Sequence, residues 1–187
     1  MSNKKKSQEV HEKIPLSVIQ RRLTVVSLRQ GYIGLALRVL CIVVIFWLIF
    51  SQVFLITQAR GQGMFPAVKD GDLVLAFRLQ QEYVKDDVIV YELDGELQIG
   101  RIVGCETDVI TMDDSGTLLV NGTAQTGEIL FPTYAREGQE YPYRVPDGYV
   151  FVLGDYRTEA EDSRDFGPIP MSDVKGKVIT ILRRREI

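Results

Sequence analysis

The sequence predicts an all-β outer domain preceded by one N-terminal transmembrane helix. Three observations predict this fold class: a basic N-terminal segment, an uncharged apolar run directly after it, and a long succession of short β-branched and aromatic runs after that. The chain has 187 residues, 45% of them hydrophobic, which suffices for one folded core. We therefore expect one β domain with a membrane anchor.

The first segment, residues 1–38, carries eight Lys or Arg and two Glu. The rest of the chain holds 14 basic and 23 acidic residues, so the whole protein has a net charge of -3. An acidic domain argues against nucleic acid as a partner, because phosphates require a basic surface. Within the segment, residues 15–30 are compatible with a short amphipathic helix on an anionic membrane surface or with an unstructured leader.

The apolar run covers residues 39–56, where only Ser51 and Gln52 are polar. A helix rises about 1.5 Å per residue, so this run can cross a bilayer core of roughly 30 Å. The predicted transmembrane helix covers residues 39–57. A buried core helix and a cleaved signal peptide are the alternatives, but the run lacks a polar face and exceeds the roughly 7–15 apolar residues of a signal peptide.

Charge asymmetry predicts the orientation of this helix. Basic flanks remain on the cytoplasmic side of a membrane. The sequence therefore predicts a single-pass protein of the cell membrane, in contact with lipid, with a cytoplasmic segment 1–38 and an extracellular domain 58–187.

The outer domain contains six apolar runs that are typical of strands, beginning with "DLVLAFRL" and ending with "VKGKVITILRR". Turn residues such as Asp114-Ser115-Gly116 and Asn121-Gly122 separate them. No long helix is predicted after the membrane span.

Cysteine and histidine are scarce. Cys41 falls in the predicted span and Cys105 in the outer domain, so we expect no disulfide between them. The single histidine, His11, lies in the basic segment. The sequence predicts no metal site and no cofactor.

Four ordered blocks of the outer domain carry a family resemblance: "GQGMFPAVKDGD", "GRIVG", "VNG" and "GDYRTEAEDSRDFGPIP". Together with the N-terminal span they resemble the type I signal peptidases of Gram-positive bacteria. The resemblance extends from the span to Lys177 and implies the β fold of that family, a membrane location and a role in protein secretion.

The resemblance also implies where the family's catalytic side chains would lie. A serine nucleophile, a lysine general base and a serine that orients the lysine correspond to Gly63, Gly100 and Ala160. A hydroxyl must lose a proton before it attacks a carbonyl, and a neutral lysine can accept that proton. Because none of the three side chains is present, no catalytic residue is predicted.

Two further sets of residues follow from the resemblance. The expected binding cleft comprises Gly61, Gln62, Gly63, Met64 and Phe65. The expected structural charge network comprises Arg101, Asp155, Asp162, Ser163 and Arg164. Met64 and Phe65 are predicted to contact lipid or a bound peptide, and Ser163 to have a structural role.

Three functions are compatible with these residues. The first is a catalytically silent signal peptidase homologue that assists pilus assembly, with pilin subunits or a sortase as partners. Some Gram-positive pilus gene clusters encode proteins of this kind, which lack the dyad yet are needed for pilin polymerisation. The second is a residual serine endopeptidase that cleaves the signal peptides of secreted proteins at a non-standard site. The third is a membrane-anchored β domain that docks a protein elsewhere on its surface.

Overall fold

The computed structural model describes residues 16–126, 130–137 and 139–183, with side chains described from residue 30 onward. The chain divides into two compact units, Met1–Leu48 and Ile49–Ile187. The helical N-terminal part and the β-rich C-terminal part are considered in turn.

Helix α1 covers Leu16–Val53. Its part from Gln30 to Val53 has 24 residues with a mean hydropathy of 2.8, so it is long and apolar enough to cross a membrane. This part begins and ends earlier than the predicted helix 39–57. Residues 54–57 belong to a strand instead, because their backbone groups pair with a second strand of the β domain.

The described residues after α1 form eleven strands and one short helix. In chain order these are β1 (Phe54–Gln58), β2 (Leu73–Phe77), β3 (Val88–Leu93), β4 (Glu96–Gly104), β5 (Val109–Met112), β6 (Leu118–Val120), β7 (Thr123–Ala124), β8 (Tyr143–Arg144), β9 (Tyr149–Leu153), α2 (Ser163–Phe166), β10 (Ile169–Pro170) and β11 (Val174–Leu182). The β-rich fold predicted from the sequence is confirmed, and a 3₁₀ turn, Met171–Asp173, precedes β11.

The strands form two antiparallel sheets. The larger has the order β1-β2-β11-β3-β4-β9-β10, and the smaller has the order β7-β6-β5-β8. The turns predicted from the sequence occur where they were expected: Gly116 has a φ of +81° and Gly122 of +77°, angles that glycine adopts without steric cost.

Alternating apolar side chains from these strands form three core clusters. One lies between the small sheet and β9, with Ile110, Leu118 and Phe151 fully or almost fully buried. A second packs β2 against the segment after β1. The third joins β3, β4 and β9 through Ile89, Tyr91 and Val152. The second and third clusters support the two sides of the cleft described next.

Candidate functional site

The segment after β1 forms a tight loop that presents Gly63. The Tyr156 N–H donates to the Gly63 carbonyl oxygen at 2.9 Å, and the Gly61 N–H donates to Asp70 Oδ1 at 2.8 Å. Both bonds fix backbone groups, so the loop is held in place without any side chain from Gly63. The first of them ties it to the segment after β9.

Gly63 and Ala160, two of the three positions singled out in the sequence, lie next to each other. A Cβ added at Gly63 would lie 3.5 Å from the Ala160 Cβ, an ordinary van der Waals distance. A Cβ added at Gly154 would lie only 2.2 Å from the Ala160 Cβ and 2.5 Å from the Gly63 oxygen. Only glycine fits at position 154, whereas position 63 has room for a side chain.

The third position, Gly100 on β4, is crowded. A Cβ added there would lie 2.3 Å from Val152 Cγ1 and 3.2 Å from Tyr91 Cε1. Val152 is fully buried and Tyr91 is 3% exposed, so neither side chain moves aside freely. Neighbouring side chains therefore occupy the space that a residue larger than glycine would need.

A cleft of about 160 Å³ lies beside Gly63. Its lining comes from three parts of the chain: the loop that contains Gly63, strands β3 and β4, and the segment from Gly154 to Glu161. The lining residues on β3 and β4 are Tyr91, Leu97, Gln98 and Ile99. Arg60, Glu159 and Glu161 are its charged lining residues.

Two ion pairs hold the segment behind the cleft. Arg101 binds Asp155 through Nε and Nη2, each at 2.7 Å, and joins β4 to the end of β9. Arg164 binds Asp162 through Nε and Nη2, each at 2.8 Å. Asp162 also accepts the N–H of Gly154 at 3.1 Å. The expected network is therefore two separate bidentate pairs, because Asp162 binds Arg164 and not Arg101.

The Asp162–Arg164 pair is almost completely buried, with 1% and 2% of the side chains exposed, whereas the Arg101–Asp155 pair is 24% and 15% exposed. Asp162 additionally caps α2, because it accepts the Arg164 N–H and its own N–H donates to Asp165. The more buried pair thus has more backbone groups attached to it.

Comparison with known proteins identifies the family of this chain. The model of the signal peptidase family, peptidase S26, matches residues 32–182, which is most of the chain. The chain belongs to the signal peptidase family. That Gly63, Gly100 and Ala160 stand at the three catalytic positions of this family remains a prediction of the resemblance.

Three relatives illustrate the range of this family. The chain is 30% identical over 133 residues to thylakoidal processing peptidase 1 of Arabidopsis thaliana, covering 63% of this chain and 38% of that protein. It is 32% identical over 128 residues to mitochondrial ATP-independent inner membrane protease subunit 1b of the same organism, covering 65% of each. It is 29% identical over 135 residues to signal peptidase I of Bacillus caldolyticus, covering 64% of this chain and 74% of that protein.

A crystal structure of a signal peptidase I from Enterococcus faecalis V583 is also similar, with 26% identity and a TM-score of 0.44. The match covers 54% of this chain and 98% of that one. The chain spans between 38% and 65% of the length of the two Arabidopsis relatives, so their complete activities do not transfer with the family assignment.

The five residues predicted for the binding cleft are divided by the structure. Gly61, Gly63 and Met64 line the cleft, but Met64 is only 5% exposed and packs in the core, so it does not extend into lipid or solvent. Gln62 is exposed and lines neither groove. Phe65 lines a second, wider groove of about 780 Å³, where its ring lies 6.0 Å from the ring of Tyr156.

Ser163 has the structural surroundings that the sequence predicted. It is fully buried, and its Oγ accepts a hydrogen bond from the Val152 N–H at 2.9 Å. This bond links α2 to β9 directly behind the crowded Gly100 position.

Two buried residues near the site were not among the predicted site residues. Arg157 is 3% exposed and donates to Thr133 Oγ1 and Gln125 Oε1, and burial lowers the pKa of its guanidinium. Tyr91 is equally buried, and burial, followed by the Asp162 and Glu161 carboxylates, raises the pKa of its hydroxyl. The alternation of Ile89 and Tyr91 along β3 was the available signal for Tyr91, since both face the same core cluster.

Metal ligands are not grouped in the described part of the chain. No cluster of three or more His, Cys, Asp or Glu side chains suited to a metal ion occurs among those residues. The prediction that the protein uses no cofactor remains a prediction.

Proposed function

We propose that this protein is a membrane-anchored signal peptidase homologue that holds an extended peptide without cleaving it, and that it assists the polymerisation of pilin by a sortase. The carrying observation is an accessible strand edge beside the cleft at Gly63. The resemblance assigns the nucleophile and the base to Gly63 and Gly100, which have no side chain. Pilin subunits and a sortase are the proposed partners, on the strength of the resemblance to pilus-assembly proteins.

The strand edge belongs to the first half of β4. Residues 96–101 pair with β3 on one side, whereas pairing with β9 on the other side includes only Arg101, Ile102 and Gly104. Among the described residues, no strand pairs with the second edge of Leu97–Ile99, and these residues line the cleft. An exposed edge of this kind binds an extended peptide through main-chain hydrogen bonds.

Absence of the reactive side chains favours holding over cleavage. Loss of a nucleophile or base typically reduces the rate of a serine hydrolase by about 10⁶, and the loss of both adds little because they act together. The crowding of Gly100 by Val152 and Tyr91 means that a lysine introduced by one substitution would lack space.

The proposed location follows from charge. We infer that α1 anchors the protein in the cell membrane, with the basic segment in the cytoplasm and the β domain outside, because basic flanks remain cytoplasmic. Labelling of Cys105 in intact cells by a membrane-impermeant thiol reagent after mild unfolding would support this orientation, and labelling only after lysis would contradict it.

Pilin polymerisation in the source cells tests the function. Deletion of the gene should abolish the polymer, and the unaltered gene should restore it. Gly63→Leu should fail to restore it, since position 63 has room for a side chain that would fill the cleft. Gln62→Leu is the matched control, because the neighbouring side chain is exposed and lines neither groove.

Each result of that experiment has a defined meaning. Normal polymerisation after deletion would contradict the assembly role. Equal activity of Gly63→Leu and the unaltered protein would contradict a role for the cleft. If Phe65→Asp abolishes the polymer and Gly63→Leu does not, the partner binds the wider groove instead of the cleft, as the docking function predicts.

A residual peptidase is the second candidate, because the Asp162-Ser163-Arg164 block of the family is retained. Its test is labelling of the full chain by a serine-reactive inhibitor, together with cleavage of a signal-peptide precursor in membranes. Labelling that disappears in Ser163→Ala would establish this candidate. The full burial of Ser163 leads us to expect neither labelling nor cleavage.

A further inference from the structure

The charged and polar groups around the cleft point to the kind of peptide that it binds. We propose that the peptide carries a lysine whose ammonium group is bound in the cleft by the carboxylates of Glu159 and Glu161 and by the hydroxyl of Tyr91. This inference rests on the proposed peptide-binding function and adds the chemical class of the ligand.

Tyr91 contributes a hydroxyl group to the lining of the cleft. The residue as a whole is 3% exposed, and its hydroxyl makes no hydrogen bond to any residue in the part of the chain that the structure describes. The hydroxyl oxygen itself is accessible from the cleft. A ligand group that enters the cleft can satisfy it, and the phenolic oxygen can accept a hydrogen bond from an ammonium group.

Glu159 and Glu161 flank Ala160, which lies directly beside Gly63. Both line the cleft, both are exposed, and neither forms an ion pair with another described residue. Arg60 is the only cationic residue among those that line the cleft. The lining therefore has one more negative than positive charge, which favours a cationic ligand.

Of the two glutamates, Glu161 acts electrostatically on the Tyr91 hydroxyl. Glu161 and Asp162 both contribute to raising the pKa of Tyr91, after the larger effect of burial. Asp162 is fully used by Arg164 and the Gly154 N–H, whereas Glu161 has no such partner. Glu161 and Tyr91 thus offer acceptors to the same incoming group.

Size favours lysine over arginine. The cleft has a volume of about 160 Å³ and is narrowed by the packing of Ala160 against the Gly63 loop. An ammonium group is a compact charge on a flexible stem, whereas a guanidinium is a wider planar fork. An ammonium also donates three hydrogen bonds, which matches two carboxylates and one phenolic oxygen.

Binding of three peptides to the full-length protein in lipid nanodiscs tests the inference. The peptides are short, acetylated and amidated chains of alanine and valine that differ at one central residue, which is Lys, Gln or Glu. Fluorescence anisotropy should give a dissociation constant for the Lys peptide about tenfold lower than for the Gln peptide, and the Glu peptide should bind most weakly.

Variants of the protein then test whether Glu159, Glu161 and Tyr91 cause the preference for the Lys peptide. Glu161→Gln and Glu159→Gln should each reduce the Lys-over-Gln ratio several-fold. Tyr91→Phe should reduce the ratio less. Glu82→Gln is the matched control, since Glu82 is exposed and does not line the cleft, and it should preserve the full ratio.

The outcomes separate this inference from the function on which it rests. Equal affinities for the three peptides would overturn the lysine preference and leave peptide binding intact. A preference for Lys that survives in the Glu159→Gln, Glu161→Gln double variant would overturn the assigned site. Absence of binding by all three peptides would contradict the proposed function and the inference together.

Discussion

The cleft and the ion pairs behind it lie a few residues apart in the same segment, yet they compare differently with the family resemblance. Position 160 lacks the side chain that the resemblance implies, whereas Asp162 and Arg164 match it. The Ala160 side chain lies beside Gly63 and Gly154 and makes no hydrogen bond, while the Asp162 carboxylate accepts hydrogen bonds from Arg164 and from the Gly154 backbone.

This difference teaches that chemistry and folding depend on separate side chains here. Removing a nucleophile or a general base leaves no buried charge without a partner, and the space that it vacates can be filled by neighbours. Removing one member of a buried ion pair leaves the other charged and desolvated, typically at a cost of about 3–5 kcal/mol. The proposed function, in which the fold persists without the reaction, is therefore compatible with these contacts.

The largest effect is expected from introducing the family's three catalytic side chains into the cleft. We expect no cleavage of a signal-peptide precursor by the unaltered membrane-inserted protein, and none by the Gly63→Ser, Gly100→Lys, Ala160→Ser variant, because Val152 obstructs position 100. Adding Val152→Ala should provide space, and cleavage should then become detectable by gel mobility of the precursor.

The control for that assay is the same quadruple variant with Gly63 left unaltered, which should be inactive. Cleavage by the unaltered chain would contradict the separation of fold from chemistry. Cleavage by the triple variant would show that Val152 yields more easily than its burial implies.

Asp162→Ala tests the retained side of the comparison. We expect the free energy of unfolding of the full chain in detergent to fall by about 3–5 kcal/mol, because Arg164 would lose its partner in a buried position. Chemical denaturation monitored by the far-ultraviolet circular dichroism of the β strands measures this free energy. Glu92→Ala removes the partner of Lys175 in an exposed pair and should cost at most about 1 kcal/mol. Equal losses for the two variants would refute the distinction.

The effect of Gly100→Lys on the free energy of unfolding tests how tightly the residues around position 100 are packed. A buried overpacking substitution typically costs about 1–3 kcal/mol. If Val152 is the obstacle, Val152→Ala should recover part of that loss, giving a favourable coupling of about 0.5–3 kcal/mol in a double-mutant cycle of unfolding free energies. Strictly additive effects of the two substitutions would exclude Val152 as the cause of the crowding.

Particular residues show how far the sequence determined these conclusions. Alternation along "DDVIVYEL" was enough to predict β3, and Gly116 and Gly122 were enough to predict their turns. Strand β1 was missed because "FLIT" continues the apolar composition of α1, and composition alone does not distinguish a helix end from a strand that finds its partner 15 or more residues later.

The site was predicted less completely than the fold. The family resemblance predicted Gly63, Gly100 and Ala160 as the catalytic positions. It contained no information on the burial of Met64, on the Val152 side chain at Gly100, or on the pairing of Asp162 with Arg164 instead of Arg101. These features depend on contacts between segments far apart in the chain.

Tyr141 gives the smallest and most specific test, because it lies near the retained pair without taking part in it. Its hydroxyl is buried and has no hydrogen-bond partner among the residues that the structure describes. Burial raises its pKa to about 12 from the usual 10.0, with the Asp162 carboxylate adding to the effect and Arg164 opposing it. At neutral pH, Tyr141→Phe should leave the free energy of unfolding unchanged or raise it by up to about 1 kcal/mol, since an unsatisfied polar group is removed.

Above pH 10 the two proteins should diverge in a predictable direction. The unfolded chain then loses the Tyr141 proton while the folded chain retains it up to about pH 12, so the folded state binds more protons and stability falls as the pH rises. Tyr141→Phe should therefore lose less stability than the unaltered protein between pH 10 and 12. Denaturation curves at several pH values measure the difference in slope, and parallel curves would mean that the hydroxyl is as well solvated as in the unfolded chain. In that case Tyr141 would belong with the exposed residues of the domain, and the packing around the Asp162–Arg164 pair would be looser than its burial indicates.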